Sequence, residues 1–153
     1  KLASVGGDLE LISFANLTSL DLSTLASVER DLRVDSNAKL SSLDLTKLAY
    51  MGGYELRIEQ NVALASLDLP ELTSTGSLMV VRNDSLASLD APKLTSVWHL
   101  SLYQNPALAQ CLADALVEQI QAGSGIGGDV NNSGNNESCT CSDDNGALVA
   151  DCP

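Results

Sequence analysis

A leucine pattern recurs about every 22–24 residues through most of this sequence. Its unit, Leu-x-x-Leu-x-Leu-x-x-Leu, starts at Leu17, Leu40, Leu64 and Leu86, and the last copy has Ala91 in place of the third leucine. A second, alternating apolar segment separates the copies: Leu9/Leu11, Leu32/Val34, Leu56/Ile58, Leu78/Val80 and Leu100/Leu102. Because alternation with a period of two is typical of half-buried strands, each repeat predicts two short β-strands.

These strands need one another to form a core, because each of them has only one short apolar face. If the repeats stack at the strand spacing of about 4.8 Å, their leucine columns share one continuous interior. The composition fits such an interior, since 44% of the 153 residues are hydrophobic but only 3% are aromatic. The sequence therefore predicts a mainly β fold, a solenoid of about five coils of 22–24 residues.

An asparagine recurs in four repeats, three residues after the last inward residue of the second strand. Asn37, Asn61, Asn83 and Asn105 are predicted to form a ladder, because stacked amides can bond along the column and to neighbouring backbone. Phe14 has the equivalent position in the first repeat, so we expect the ladder to end there.

Glycine pairs at 6–7 and 52–53 predict tight corners between strands, because glycine adopts turn conformations at low steric cost. The extra residue of the longest repeat falls at Tyr54, next to one of these pairs. We interpret Tyr54 as a corner bulge, a place where an insertion disturbs the strands least.

A different pattern follows the repeats, so we expect a repeat solenoid over 1–110 and a C-terminal cap over 111–153, within a single structural unit. The cap is predicted to contain a helix over about 111–122 that covers the last coil, then a polar loop, then a disulfide-bonded hairpin that turns at 144–146. The apolar residues of the helix are predicted to form one face: Leu112, Ala115, Leu116 and Ile120.

All four cysteines, Cys111, Cys139, Cys141 and Cys152, lie in this cap. Four cysteines allow three pairings, of which we favour Cys111–Cys139 with Cys141–Cys152. The alternative is a zinc site, but Cys139 and Cys141 are separated by one residue where structural zinc sites prefer two to four. Disulfides indicate an oxidising compartment, and so a secreted or cell-surface protein.

The formal net charge of −12 restricts the partners of the chain. Nucleic acid and anionic lipid need clustered cations, so neither is expected to bind here. No stretch approaches the roughly 18 consecutive apolar residues of a membrane-spanning helix, so we expect no membrane insertion.

The repeats resemble the receptor L-domain relatives of the leucine-rich-repeat superfamily, on four features. These are the Ser-Leu-Asp-Leu segments at 42–45 and 66–69, the Leu-Thr-Ser-x corners at 72–75 and 94–97, the glycine pair at 52–53, and the recurring Asn-x-x-Leu steps. The resemblance implies a right-handed solenoid with a terminal cap, as in bacterial or fungal surface proteins. It also implies a role in adhesion or recognition.

Two groups of oxygen-bearing residues are candidate calcium sites. One is an outward column of carboxylates on the first strands, Asp21, Asp44, Asp68 and Asp90, beside a column of serines. The other is Asp129-x-Asn131-x-Ser133, which resembles half of an EF-hand loop but has Thr140 at its twelfth position. The alternatives are a solvated face for the column and a disordered linker for the loop. We expect no other cofactor.

The candidate binding surface lies on the outward side of the later second strands, at Met79, Val81, Trp98, His99 and Tyr103. Such side chains can stack on sugar rings or anchor a protein partner. Alternatively, Trp98 covers the seam between the last coil and the capping helix. His99 has no nucleophile at a recognisable spacing, so we do not expect an enzyme.

The sequence thus favours an extracellular, non-catalytic recognition or adhesion module that binds glycan or protein. The second hypothesis is a structural subunit that stacks head to tail through an uncapped solenoid end into a filament or layer, as a homo-oligomer. A third is binding to ice or mineral through the serine and aspartate columns.

Overall fold

The protein is a mainly β solenoid of about four turns with one C-terminal helix and two disulfide bonds. It is described by a computed structural model that covers residues 1–52, 54–144 and 147–152. Gly53, Asn145 and Gly146, which the sequence analysis places in turns, lie outside the described residues. The elements are β1 (Ser4–Val5), β2 (Leu9–Ile12), β3 (Ser19–Asp21), β4 (Ser27–Val28), β5 (Leu32–Asp35), β6 (Ser42–Asp44), β7 (Tyr50–Met51), β8 (Glu55–Glu59), β9 (Ser66–Asp68), β10 (Ser74–Val81), β11 (Ser88–Asp90), β12 (Ser96–Tyr103), α1 (Gln110–Ala122), β13 (Gly125–Ile126), β14 (Val130–Asn131), β15 (Thr140–Asp144) and β16 (Ala147–Asp151).

Parallel strands from successive coils form the walls of the solenoid. The main sheet has the order β13-β12-β10-β8-β5-β2, with β14 also paired to β12. Shorter strands form the other walls, as β1-β4-β7, β3-β6 and β9-β11. Each strand pairs with its counterpart in the adjacent repeat, for example Leu32 with Leu56, so the repeat period sets the register. The predicted β-solenoid is confirmed.

The leucine columns occupy the interior of the solenoid. Leu43 and Leu67 are buried, and Leu89 packs against the same core from a partly exposed position. Complete burial of one such side chain contributes about 1.5–3 kcal/mol, and stacking lets each internal coil bury its leucines against two neighbours.

The asparagine column forms the predicted ladder. In each step the side-chain oxygen accepts a hydrogen bond from the backbone N–H of the preceding asparagine, as in Asn37 N to Asn61 Oδ1 (3.1 Å). The side-chain nitrogen donates to a strand carbonyl of the preceding coil, as in Asn61 Nδ2 to Val34 O (2.8 Å). The ladder ends where Phe14 N donates to Asn37 Oδ1 (2.9 Å).

A column of left-handed backbone precedes the ladder. Each residue just before a ladder position has a positive φ, and most of them are not glycine: Ser13, Ser36, Gln60, Arg82, Gln104 and Gly134. This conformation costs a non-glycine residue roughly 1–2 kcal/mol, which the buried amide bonds of the next residue offset.

The stretch predicted to be a polar loop is instead the last rung of the solenoid. β13 pairs with the start of β12, and β14 pairs with Leu100 and Ser101 of the same strand. Asn135 then joins the ladder, since its Oδ1 accepts from Asn105 N (3.2 Å) and its Nδ2 donates to Leu102 O (2.7 Å). The solenoid therefore continues beyond residue 110 on the far side of the helix.

Helix α1 lies across the last full coil, with Ala113, Leu116 and Ile120 buried. Gln119 Nε2 donates to the carbonyls of Ala91 and Leu94, both at 2.9 Å, and so provides the bonds that another coil would make. Among the described residues, no helix has the length and apolarity that crossing a bilayer requires.

The disulfides join Cys111 to Cys141 and Cys139 to Cys152, so the pairing favoured from the sequence is wrong. The antiparallel register of β15 and β16 pairs Thr140 with Asp151, which puts Cys139 opposite Cys152 at the base of the hairpin. Their Cα atoms are 4.3 Å apart, which leaves Cys141 to reach the start of α1.

This pairing predicts which thiol appears when one cysteine is removed. In Cys152→Ala, we expect alkylation followed by fragment mass spectrometry to place the label on Cys139, while Cys111–Cys141 stays oxidised. The matched variant Cys141→Ala should carry the label on Cys111. A label on Cys141 in the first variant would support the pairing that we favoured from the sequence.

Candidate ligand-binding site

The five candidate surface residues differ widely in exposure. Trp98 is 60% exposed and His99 is also exposed, whereas Met79 and Tyr103 are half-buried. Val81 has no exposed surface, because it lies in register between Glu59 and Tyr103, whose larger side chains flank it. Val81 is therefore excluded from the binding surface.

At one corner of the main sheet, three residues on successive coils form a row in which a glycine has one aromatic residue on each side. Ser77 pairs with Glu55 on one side and with His99 on the other. The residues just before them, Tyr54, Gly76 and Trp98, therefore lie side by side on successive coils. Tyr54 is 55% exposed, and the row spans two strand spacings, about 9.6 Å.

The row borders a depression of about 390 Å³, which we call the aromatic slot. Gly76 leaves open the space that a side chain would fill between the rings. The residues that line the slot are Asp31, Arg33, Tyr54, Glu55, Gly76, Ser77, Trp98 and His99. It thus combines two apolar ring faces with hydroxyl, imidazole and carboxylate groups, as small-ligand sites usually do.

The last rung of the solenoid holds Trp98 and His99 in place. Gly127 lies against the indole, since a Cβ there would be 2.4 Å from Trp98 Cε3. Gly128 N donates to Trp98 O (2.6 Å). This contact is part of the covering role considered for Trp98, but a ring that is 60% exposed still presents most of its surface to solvent.

His99 is oriented by a backbone contact. Its Nδ1 accepts a hydrogen bond from Asp129 N (3.2 Å), which requires the neutral tautomer with its proton on Nε2. The imidazole meets the indole edge to face, with ring centroids 6.2 Å apart and an interplanar angle of 89°. The Nε2–H is therefore the imidazole donor that a ligand can use.

Carboxylates outnumber cations beside the slot. The Arg33 guanidinium contacts Asp31 (2.7 Å), Glu10 (3.1 Å) and Glu55 (3.1 Å). Burial alone lowers the pKa of Arg33, but attraction to Asp31, Glu55 and Glu10 outweighs it, so the pKa lies above its usual value. Asp31 and Glu55 line the slot together with Arg33, so this wall carries one more carboxylate than cations.

The register places Asp21 beside Asp44 and Asp68 beside Asp90, as two pairs of the predicted aspartate column, and local hydrogen bonds satisfy the first pair. Asp21 Oδ1 accepts from Ser23 N (2.9 Å), and hydrogen bonding to Ser23 lowers the pKa of Asp21. Asp44 Oδ1 accepts from Thr46 N (3.0 Å) and Thr46 Oγ1 (2.7 Å).

The other two members of the column lack the same backbone donor. The residues two positions after Asp68 and Asp90 are Pro70 and Pro92, which have no N–H. Over the part of the chain that the structure describes, no three His, Cys, Asp or Glu side chains are grouped to hold a metal ion.

The EF-hand-like run is ordered differently from a calcium loop. Asn131 Oδ1 accepts from Ser133 Oγ (3.0 Å), while the backbone of this segment pairs with β12. The Asp129 carboxylate is fully exposed and lies 4.0 Å from His99 Nδ1. The run therefore serves as a sheet rung, and Asp129 belongs to the surroundings of the aromatic slot.

A second concavity of about 660 Å³ follows the left-handed column along the solenoid. Its walls carry Gln60, Arg82, Asp84 and Gln104, and its floor includes Val62. Arg82 Nε donates to Gln104 Oε1 (2.9 Å), so the guanidinium is partly engaged within the protein. The groove has no aromatic lining residue, which makes the aromatic slot the better candidate for ligand binding.

Sequence reasoning missed Tyr54 and Gly76. The signal was the equal spacing from Tyr54 to Gly76 and from Gly76 to Trp98, because each of these steps is one repeat period. Tyr54 was assigned to a bulge, so its alignment with Trp98 was not considered.

Comparison with protein-family models, curated proteins and solved structures found no match for this chain.

Proposed function

We propose that the protein is an extracellular or cell-surface recognition module without catalytic activity, and that it binds glycan through the aromatic slot. The observation that carries the proposal is the row Tyr54, Gly76 and Trp98, in which two rings that are more than half exposed lie on either side of a glycine. Exposed indole and phenol rings are costly to solvate and are suited to pack against the apolar face of a sugar.

The surroundings of the slot support a polyhydroxylated ligand. Ser77 offers a hydroxyl and His99 offers an Nε2–H donor beside the rings, while Glu55 offers carboxylate oxygens as acceptors. An extended glycan laid across the strands would cross one coil about every 4.8 Å, and so could contact both rings of the row.

The proposal also covers the type of solenoid and its setting. It assigns the solenoid to the right-handed, L-domain-like type of leucine-rich repeat, with about five coils of 22–24 residues. The two disulfides are consistent with an oxidising, extracellular setting. The net charge of −12 supports partners other than nucleic acid, and the proposed glycan binding requires neither calcium nor any cofactor.

Removal of one aromatic ring tests the proposal. We expect Tyr54→Ala to weaken glycan binding about tenfold, because the variant loses one of two stacking faces. The measurement is a glycan array followed by titration, in which the fluorescence of Trp98 reports binding because it is the only tryptophan.

The matched control is Tyr50→Ala, which removes an equally exposed tyrosine (52%) on β7, outside the residues that line the slot. This variant should bind like the wild type. Equal weakening in both variants, or no glycan retained by the wild-type array, would contradict the proposal.

The structural-subunit hypothesis is favoured by a separate observation. β2 is the outer strand of the main sheet, and the core residues of its coil, Leu9, Leu11 and Leu20, are only partly buried. A second solenoid edge would cover them through strand addition. Light scattering that shows growing assemblies as concentration rises would support this role, and a monomer at all concentrations would exclude it.

A further inference from the structure

We propose that the aromatic slot selects glycans whose rings carry protonated amines. The inference rests on the proposed function, because it specifies which glycans the same rings and carboxylates would bind. The inference follows because the slot contains exposed aromatic rings and more carboxylates than cations.

The charge around the slot is negative on two sides. On one side, Glu55, Asp31 and Glu10 share the single guanidinium of Arg33, at N to O distances between 2.7 and 3.1 Å. On the other side, the fully exposed carboxylate of Asp129 lies next to His99, whose Nδ1 accepts a hydrogen bond from the backbone N–H of Asp129. Of these groups, Asp31, Glu55 and Arg33 line the slot, so together with Asp129 the balance beside it is three carboxylates against one guanidinium.

The two exposed rings favour the same ligand charge. The face of an aromatic ring attracts an organic cation, most strongly for tryptophan, by about 0.5–2 kcal/mol. A ring that stacks on Trp98 or Tyr54 therefore gains from bearing an ammonium group. The same slot disfavours uronic acids and sulfated sugars, because their anions would face both the ring faces and the carboxylates.

The slot also has room for a substituted ring. Trp98 and Tyr54 are separated by two strand spacings, about 9.6 Å, and Gly76 provides no side chain between them. In the proposed binding mode a pyranose lies over Gly76, in contact with the exposed rings, with its amine directed toward Glu55 or Asp129. In this placement the apolar face of the sugar contacts the aromatic rings while its ammonium group faces the carboxylates.

Two oligosaccharides that differ only at the amine test the inference. We compare oligomers of β-1,4-linked glucosamine with the fully N-acetylated oligomers of equal length, and titrate each against the wild-type protein while following Trp98 fluorescence. At low salt the amine form is expected to bind about tenfold more tightly. The preference should shrink as salt is raised, because the carboxylates are partly exposed.

Variants separate the slot from general attraction to an acidic protein. Asp129→Asn should reduce the preference for the amine form and leave binding of the acetylated form unchanged, because Asp129 is not a lining residue of the slot. Glu55→Gln should weaken binding of the amine form more than that of the acetylated form, because only the amine form loses a charge attraction. Glu118→Gln removes an equal charge from an exposed position of α1, outside the residues that line the slot, and should change neither affinity. Asp129→Asn keeps the test valid if Glu55→Gln folds poorly, because the Asp129 side chain is fully exposed.

The outcomes distinguish failure of the inference from failure of the proposed function. If the acetylated oligomer binds as tightly as the amine form, and both lose affinity in Tyr54→Ala, the glycan site stands and the amine selectivity is overturned. If calorimetry shows that the amine oligomer binds Trp98→Ala as tightly as the wild type, its binding is general charge attraction and the inference is overturned. If no glycan binds in a ring-dependent manner, both proposals are wrong.

Discussion

Replacement of Asn61 by alanine is expected to lower the free energy of unfolding by about 3–5 kcal/mol. Asn61 is completely buried, accepts the N–H of Asn37 at 3.1 Å and donates to the carbonyl of Val34 at 2.8 Å. Alanine leaves both backbone groups buried without partners, at about 1–3 kcal/mol each, and adds a small cavity. Denaturant unfolding followed by circular dichroism measures the change.

Asn16→Ala is the matched control for this variant. Asn16 is an exposed asparagine whose side-chain oxygen accepts one hydrogen bond among the described residues, from Lys39 Nζ (2.9 Å), so we expect a change within about 0.5 kcal/mol. If the two variants lose similar amounts of stability, the ladder does not stabilise the solenoid in the way proposed.

Gly52→Ala is expected to destabilise the protein by about 3 kcal/mol through a clash between coils. A Cβ at Gly52 would lie 1.9 Å from Glu29 O and 2.7 Å from Glu29 C. Both atoms are backbone, so relief requires the corner of one coil to move away from its neighbour. That movement would lengthen the hydrogen bond from Gly52 N to Val28 O, now 3.0 Å.

The solenoid repeat itself provides the control for this clash. Gly6 occupies the same corner two coils earlier, since Val5, Val28 and Met51 are in register, but a Cβ at Gly6 meets nothing within 4 Å. We expect Gly6→Ala to change the free energy of unfolding by less than about 0.5 kcal/mol. Thermal unfolding of the two variants measures the difference. Equal unfolding midpoints would show that the corner at Gly52 accommodates a methyl group without a clash.

The period of the sequence was enough to predict the solenoid and four members of the ladder. Apolar columns and buried amides both repeat at intervals that match the strand register, as with Asn61 and Asn83. The fifth member, Asn135, could not be found in this way. It follows Asn105 at more than one repeat period, because helix α1 interrupts the chain between them.

The last rung of the solenoid, formed by β13 and β14, was not predicted from the sequence for a related reason. β13 and β14 contain few apolar residues, and backbone hydrogen bonds hold them against β12, for example Leu100 N to Asp129 O at 3.0 Å. Strands that are held mainly by backbone hydrogen bonds need no repeating pattern of apolar side chains. The polar composition of this segment therefore predicted a loop. The disulfide pairing was also not predictable, because it depends on the register of the hairpin. The sequence does not show whether Cys139 or Cys141 lies opposite Cys152.

The candidate site was only partly predictable. Trp98 and His99 stood out because aromatic residues are scarce, and both are exposed. The burial of Val81 could not be predicted from the sequence, because it depends on the larger side chains of its cross-strand neighbours, Glu59 and Tyr103. The part played by the cap was also invisible, because contact with Trp98 comes from Gly127, a residue without a side chain.

The ladder has a direction, because every amide serves the coil that precedes it. Asn83 N, for example, is satisfied by Asn105, and Ile58 O is satisfied by Asn83. Loss of the following coil therefore leaves two buried backbone groups unpaired, whereas loss of the preceding coil leaves the buried side-chain amide of the asparagine unpaired. During synthesis from the N-terminus, we therefore expect each turn to gain its last buried hydrogen bonds only after the asparagine of the next turn has emerged from the ribosome.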